Sequence, residues 1–389
     1  VIVGGNAMLP YSDEQKMIKE MVRKLAKEKI EPLVEELDKK GEGPGKARDI
    51  LIEHGLLKLP LPQEYGGVDA DCTTVAIVVE ELARVDGGIS MDVFGAGTFV
   101  FFVKNFGSEA QKKKFYPMLE AGKLGAFCLT EPGYGSDAAH IITKAVRDDG
   151  HYVVNGTKTM ASNGPLSEYY LLYVRTGPGE GASGISCLLF EKVPGVSAGK
   201  HFDKLGFRTS PTSELYFEDV KVPVDCVLGK EGDGWKTLVF GGGAMRVFGA
   251  SSQALGNAQG AMEYAIKYAK ERKTFGVPLI QHQAIQFMFA EMGMNIEAAR
   301  SLHFRTLQMI DGGNYSQTEY ELLTSSTKAF VCDMAMKVAT DAVQILGAYG
   351  VMNEYPVAKR MRDAKVNQIF DGASQIQKMI VGRALSKLY

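Results

Sequence analysis

The chain has 389 residues, 45% of them hydrophobic and 23% charged, with a formal net charge of −2. That length predicts two or three domains with substantial cores, and the near-neutral charge argues against a nucleic-acid or anionic-membrane partner. Five scattered cysteines (Cys72, Cys128, Cys187, Cys226, Cys332) form no CxxC pair; they suggest neither a disulfide framework nor a zinc site and fit a reducing compartment.

Val1 to Gly5 reads as a strand–glycine start, but Asn6-Ala7-Met8-Leu9-Pro10 follows in place of a GxGxxG turn. A nicotinamide site is not expected there, and no basic-then-apolar secretory leader is visible. Ser12-Asp13-Glu14-Gln15 predicts a helix N-cap with acids in the first turn. Ile18, Met21, Val22, Leu25 and Ala26 then recur at helical spacing, and the Gly- and Lys-rich stretch Asp38 to Lys46 ends that helix. Val93 to Val103 is apolar but too short to span a bilayer. Ser108 with Gln111 predicts another cap, and Lys112-Lys113-Lys114 a solvated helix face.

From about Gly125 to Val222 the pattern becomes strand-like. His151-Tyr152-Val153-Val154 before Asn155-Gly156 predicts a strand entering a type I′ hairpin turn. Tyr169 to Val174 and Ile185 to Phe190 predict two more strands. The Gly177-Pro178-Gly179-Glu180-Gly181 loop between them lacks the Lys-Ser/Thr of a P-loop and reads as a connector. Leu215, Phe217, Val220 and Val222 complete the set, and Pro223 closes it. From Trp235 onward helices return, with small residues such as Ala250, Ser251, Ser252, Ala254 and Gly256 suited to close packing. The predicted fold is α+β and mostly helical. It has an N-terminal helical domain (1–123), a small central β-sandwich or barrel (124–232) and a C-terminal four-helix bundle (233–389).

Four motifs carry chemistry. Phe127-Cys128-Leu129-Thr130-Glu131-Pro132-Gly133-Tyr134-Gly135-Ser136-Asp137 is a strand running into a Gly/Pro turn, where backbone N–H groups can approach a ligand closely. Gly156-Thr157-Lys158-Thr159-Met160-Ala161-Ser162-Asn163-Gly164 is a second strand end. Glu271-Arg272-Lys273-Thr274-Phe275-Gly276, with Gln281-His282-Gln283, puts an arginine just after a helix, and its planar fork suits a diphosphate. Gln368-Ile369-Phe370-Asp371-Gly372-Ala373-Ser374-Gln375-Ile376-Gln377 presents a lone acid before the last helix.

In this order the four motifs resemble those of the acyl-CoA dehydrogenases, and the resemblance covers essentially the whole chain. It implies FAD as cofactor. Phe127, Leu129, Thr130, Gly135, Ser136, Met160, Ser162 and Gln375 would contact it, and Ser162 would donate to flavin N5 or O4. Arg272, Thr274, Phe275, Gln283, Gln344, Gly347 and Gly350 would reach the FAD of a neighbouring subunit, which implies a homotetramer built as a dimer of dimers. Asp371 would be the base that removes the proton alpha to a thioester carbonyl, with its backbone N–H polarising that carbonyl. Burial would make such a carboxylate more basic. Ser136, Met245, Arg246, Phe370 and Gly372 would border the acyl-CoA, and an electron-transferring flavoprotein would take the electrons. A bacterial cytoplasm, or else a mitochondrial matrix, is the implied location.

Three positions depart from the family pattern. Asp371 replaces a glutamate and loses one methylene of reach, where an error of about 1 Å can cost roughly a hundredfold in rate. Met160 replaces an aromatic residue, and Ala373 a threonine. Met245 stands where some members carry an alternative glutamate base. Asp92, among Ser90, Met91, Val93 and Phe94, lies on the segment that lines the acyl pocket in the family. Desolvation there would raise its basicity, so that it could bind a polar acyl group or serve as base at a more distant carbon. Ser90 and Phe94 are the expected pocket walls. Bulky Met91, Phe94, Phe99 and Met245 favour a short, branched or alicyclic acyl group, such as cyclohexane- or cyclohexene-carboxyl-CoA. Two other readings compete: a flavin oxidase of nitroalkane type, and a catalytically idle scaffold of the same fold.

Overall fold

The structure, a computed structural model, describes residues 10–389, so the reading of Val1 to Gly5 lies outside the described residues. Six helices come first: α1 (Asp13–Leu25), α2 (Glu31–Lys40), α3 (Lys46–Glu53), α4 (Cys72–Ala83), α5 (Ser90–Phe106) and α6 (Glu109–Glu120). Both expected caps form as reciprocal boxes. Ser12 and Ser108 each accept from the backbone N–H three residues on, and the glutamines there accept from the serine N–H. That satisfies two otherwise orphaned donors at each start. α1 continues into α2 through a π-helical turn over Ala26–Ile30, and Gly41, left-handed at φ 66°, ends the pair. α5 is apolar nearly all round, so it belongs in the interior, and most of its residues are buried.

Seven strands follow: β1 (Gly125–Cys128), β2 (Lys144–Asp148), β3 (His151–Ser162), β4 (Tyr169–Arg175), β5 (Ile185–Glu191), β6 (Val196–Ala198) and β7 (Thr212–Pro223). They make one curled sheet ordered β1-β4-β2-β3-β7-β6, with β5 added on β4. The hairpin turn expected at Asn155-Gly156 is not there, because β3 runs straight through it. The Asn155 amide is committed across the sheet: Oδ1 accepts from Asp219 N–H at 2.9 Å, and Nδ2 donates to Asp219 Oδ1 at 3.0 Å. The reversal falls earlier, at Asp149-Gly150 between β2 and β3, where both residues have positive φ (35° and 80°).

The chain then becomes helical again. It runs through α7 (Gly234–Met245), a second π-helical turn (Arg246–Ser251) and α8 (Ser252–Glu271). A small hairpin, β8 (Lys273–Thr274) and β9 (Val277–Pro278), leads to α9 (Gln283–Gly312), α10 (Gln317–Leu346), α11 (Pro356–Ile369) and α12 (Ser374–Leu388). Alanine-rich faces of α8 and α10 share one core with apolar residues of α9 and α11. Where α8 crosses α4 the backbones nearly touch: a Cβ on Gly256 would stand 2.1 Å from the Glu80 carbonyl oxygen. A backbone atom cannot step aside as a side chain can. Gly256→Ala is therefore expected to destabilise the fold by about 1–3 kcal/mol, read as a lower denaturant midpoint; an unchanged midpoint would show that the helices can separate freely.

Candidate active site

The turn between α11 and α12 presents Phe370, Asp371 and Gly372. Asp371 is left-handed at φ 53°, a costly conformation for a residue with a side chain, and Gly372 follows at φ 95°. The turn is pinned on both sides. Arg246 Nε donates to the Asp371 carbonyl at 2.7 Å, and the buried Gln377 Nε2 donates to the Gly372 carbonyl at 3.3 Å. The residue is half-buried, yet its Oδ2 is shut from water and finds no hydrogen-bond partner among the described residues. Burial pushes the carboxyl up to about 6, against the opposing pull of Lys328 and Arg246. It does not cap α12; that place belongs to Ala373, whose methyl offers no acceptor.

Asp92 lies in the first turn of α5, 1% exposed, so it is no surface residue. Asn163 Nδ2 donates to its Oδ1 across 3.4 Å, and Arg48 Nε stands 3.7 Å from its Oδ2. Burial raises this carboxyl too, to about 6, with Arg48 and Asn163 opposing. The two acids flank one aromatic contact: the Phe94 and Phe370 rings meet edge-on at 6.5 Å, two residues after Asp92 and one before Asp371. Phe207 packs edge-on to Phe370 at 5.6 Å, and Phe248 to Phe94 at 6.1 Å. Met245 is buried in the same core. Ser90 lies close by, but its hydroxyl is already committed, donating to the Gly87 carbonyl at 2.7 Å and accepting from Gln253 Nε2 at 2.9 Å.

The first two motifs come together where the loop after β1 meets β3. Thr159 N–H donates to the Thr130 carbonyl at 2.8 Å, tying the loop after β1 to the end of β3. Beneath the loop, buried Lys158 donates to Glu131 Oε1 at 2.8 Å and to the Leu129 carbonyl at 3.0 Å. Glu131 also accepts from the Ile142 and Thr143 N–H groups. Burial works to raise the Glu131 carboxyl, but Lys158 and these bonds outweigh it and hold it below its ordinary value. Phe127 is half-buried between the Phe102 and Tyr173 rings, while Ser136 is exposed and Leu129, Thr130 and Ser162 are half-exposed. Met160 sits in an irregular part of β3, left-handed at φ 56° and 61% exposed. A Cβ added at Gly133 or Gly135 would meet nothing within 4 Å. An open glycine loop beside an exposed, polarisable thioether suits a flat flavin ring and its phosphates.

The third motif stands apart. Arg272 and Gln283 are exposed, and Phe275, at the hairpin tip, is 98% exposed at φ 49°. Thr274 Oγ1 and His282 Nε2 lie 2.9 Å apart. Gln344 and Gly347 end α10 on the same side, where Tyr349 packs on Tyr268 of α8 at 6.5 Å; Gly350 is buried. Among the described residues, none of these makes a hydrogen bond or ring contact with Phe370, Asp371 or Gly372, and Gln375 lies exposed on α12.

Sequence reasoning missed the roles of four charged residues. Arg48 pairs with Asp92 from a helix that carries no motif. Lys158 and Glu131 both lay in recognised motifs, but nothing in their spacing pointed to a buried pair. Lys328 on α10 is fully buried, with an Nζ lacking a partner among the described residues; burial depresses its pKa, and Asp371 is in electrostatic range. A lysine one turn before the apolar Val331, Cys332 and Ala335 was the available signal.

The architecture and the site define an FAD-dependent flavoprotein oxidoreductase. Family models of the acyl-CoA dehydrogenase N-terminal, middle and C-terminal domains match residues 12–123, 126–220 and 232–386. The chain belongs to the acyl-CoA dehydrogenase family. It is 39% identical to a cyclohex-1-ene-1-carbonyl-CoA dehydrogenase of Syntrophus aciditrophicus, covering 98% of this chain and 92% of that one. It is 38% identical to a cyclohexane-1-carbonyl-CoA dehydrogenase of Geobacter metallireducens, covering 98% and 99%. The structure of butyryl-CoA dehydrogenase from Megasphaera elsdenii superposes with a TM-score of 0.92 at 38% identity, covering 97% and 99%.

Proposed function

We propose that this enzyme oxidises a short, branched or alicyclic acyl-CoA, with cyclohexane- and cyclohexene-carboxyl-CoA the first choices, and that Asp371 is its base. One observation carries the proposal: a buried carboxylate oxygen without a partner, on a turn held rigid by Arg246 and Gln377. Such an atom is free to take a carbon-bound proton, and its raised basicity helps. The Asp371 backbone N–H polarises the thioester carbonyl, and Ser136 and Arg246 lie toward the CoA arm. FAD bound there would supply the acceptor for the hydride of the beta carbon. Phe127, Leu129, Thr130, Gly135, Ser136, Met160, Ser162 and Gln375 would hold the FAD from this chain. The outlying Arg272, Thr274, Phe275, Gln283, Gln344, Gly347 and Gly350 hold that of a neighbour, in a tetramer. An electron-transferring flavoprotein takes the electrons, in a bacterial cytoplasm.

Asp92 stands at the far end of the acyl group in this reading. With a cyclohexene ring, whose double bond acidifies a remote C–H, Asp92 becomes the base; its own buried Oδ2, which accepts no hydrogen bond from a described residue, favours that second role. Anaerobic flavin bleaching by butyryl-, isobutyryl-, cyclohexanecarboxyl- and cyclohexenecarboxyl-CoA tests both. Rapid bleaching by a saturated thioester supports Asp371, and bleaching by the cyclohexene thioester alone transfers the role to Asp92. A yellow protein that no thioester reduces would sink the dehydrogenase reading and turn attention to nitroalkanes, then to a scaffold.

The pH dependence has a definite sign. Only the ionised carboxylate can accept the proton, and Asp371 titrates near 6. The bleaching rate is expected to be flat above pH 7 and to fall about tenfold per unit below about 6. A rate independent of pH from 5 to 8 would exclude a base with this environment.

A further inference from the structure

An all-carbon acyl group would leave polar atoms at the far end of the site without partners. Arg48 on α3 keeps a side chain only 19% exposed, and its one ion pair among the described residues is the 3.7 Å approach to Asp92, too long for a hydrogen bond. Asp92 and Asn163 are 1% and 3% exposed, and Asp92 Oδ2 and Asn163 Oδ1 both lack a hydrogen-bond partner among the described residues. Buried polar groups are normally satisfied, so two buried acceptors without hydrogen-bond donors, beside a half-buried guanidinium that makes no hydrogen bond to a described residue, point to something that joins them.

We propose that Arg48, Asp92 and Asn163 form a hydroxyl-binding subsite, and that the preferred acyl-CoA carries a hydroxyl on the side of its ring or chain remote from the thioester. This rests on the reading that the acyl group lies along α5.

The chemistry of the three groups narrows the ligand. A carboxylate would confront Asp92, and an ammonium would confront Arg48. A ketone could accept from Arg48 but has nothing to donate. A hydroxyl accepts from the guanidinium and donates to the Asp92 or Asn163 oxygen. The acceptors are held in place. Asn163 is left-handed at φ 60°; its N–H donates to the Pro211 carbonyl at 2.7 Å, and its own carbonyl accepts from Ser167 Oγ at 2.8 Å. There is room as well. Gly95, three residues along α5 from Asp92 and so on the same face, is a position where a Cβ would meet nothing within 4 Å. A trapped water can also join the three groups, and a ligand hydroxyl would displace and reproduce it.

The test compares cyclohexanecarboxyl-CoA with cis- and trans-4-hydroxycyclohexanecarboxyl-CoA on the holoenzyme. Two readings are taken: anaerobic flavin bleaching, and dissociation constants by calorimetry. One hydroxy isomer is expected to bind or react roughly ten- to a hundredfold better than the parent, the worth of a charge-assisted hydrogen bond. In Arg48→Met and in Asn163→Ala that preference should collapse toward one. Equal or weaker binding of both hydroxy isomers by the unaltered protein would overturn the subsite and leave a bound water only. The comparison needs no variant, so misfolding of one cannot rescue the idea. Calorimetry separates the two failures: absent bleaching with a retained hydroxyl preference would remove the dehydrogenase reading and keep the subsite.

Discussion

Replacing Asp371 with asparagine is expected to slow flavin bleaching by saturated acyl thioesters roughly a hundred- to ten-thousandfold while leaving the protein folded. The amide keeps the shape of the side chain but cannot take a proton, and a positioned base contributes roughly 10²–10⁴ in rate. Stability should move the other way. The carboxyl titrates near 6 in the fold against 3.8 in an open chain, so the folded state binds the proton more tightly. The cost of holding the charge therefore appears as pH rises from about 4 to 6 and is complete above that. At about 1.4 kcal/mol per unit, the variant should gain on the order of 2–3 kcal/mol at pH 7.5 and almost nothing at pH 4. Urea midpoints at the two pH values check this. An inactive variant with no pH-dependent gain would mean that the carboxylate meets water or a counter-ion in solution. A fully active one would pass the base role to Asp92.

Lys158→Met is expected to destabilise the protein by about 3–5 kcal/mol, because it abandons the Glu131 charge in the interior. The side chains are 0% and 2% exposed. Burial draws the ammonium down to about 8, still charged at neutral pH beside its carboxylate. The pair also fastens the loop from Leu129 to Ser136, so the single variant should retain flavin poorly on gel filtration. Removing both charges, as Glu131→Gln with Lys158→Met, should recover much of the loss. The depressed carboxyl gives the pair its pH window: its contribution is present above about 4.5 and fades as pH falls below. Equal midpoints for the single and double variants would show that the two residues do not depend on each other.

Local chemistry was the legible part of the sequence. Ser12 with Gln15 and Ser108 with Gln111 announced their caps because a capping box is complete within four residues. The strand and helix textures followed from side-chain periods, and the lone acid at 371 stood out against its motif. What stayed hidden depended on partners far along the chain. Asn155-Gly156 has the composition of a tight turn, yet Asp219, 64 residues later, engages the Asn155 amide and keeps the strand extended. Asp92 could be singled out as an acid among apolar neighbours, but not its pairing with Arg48, since the intervening residues carry no period linking α3 to α5. Lys158 and Glu131 are 27 residues apart, and only the folded sheet brings them into contact.

The π-helical turn from Arg246 to Ser251 gives the bundle a fixed phase. Such a turn holds one residue more than the α-helix it interrupts, and each residue of an α-helix turns the chain through about 100°. Ser251 Oγ closes the widened loop on the Arg246 carbonyl at 2.8 Å, and Arg246 in turn grips the Asp371 backbone. Relaxing that one surplus residue into regular helix would rotate everything before it by more than a quarter of a circle relative to α8. Either the guanidinium would swing off the Asp371 turn, or Gly256 would lose its seat on α4. One inserted position thus acts as a vernier between scaffold and chemistry, and a lineage that lost it would have to rebuild both ends together.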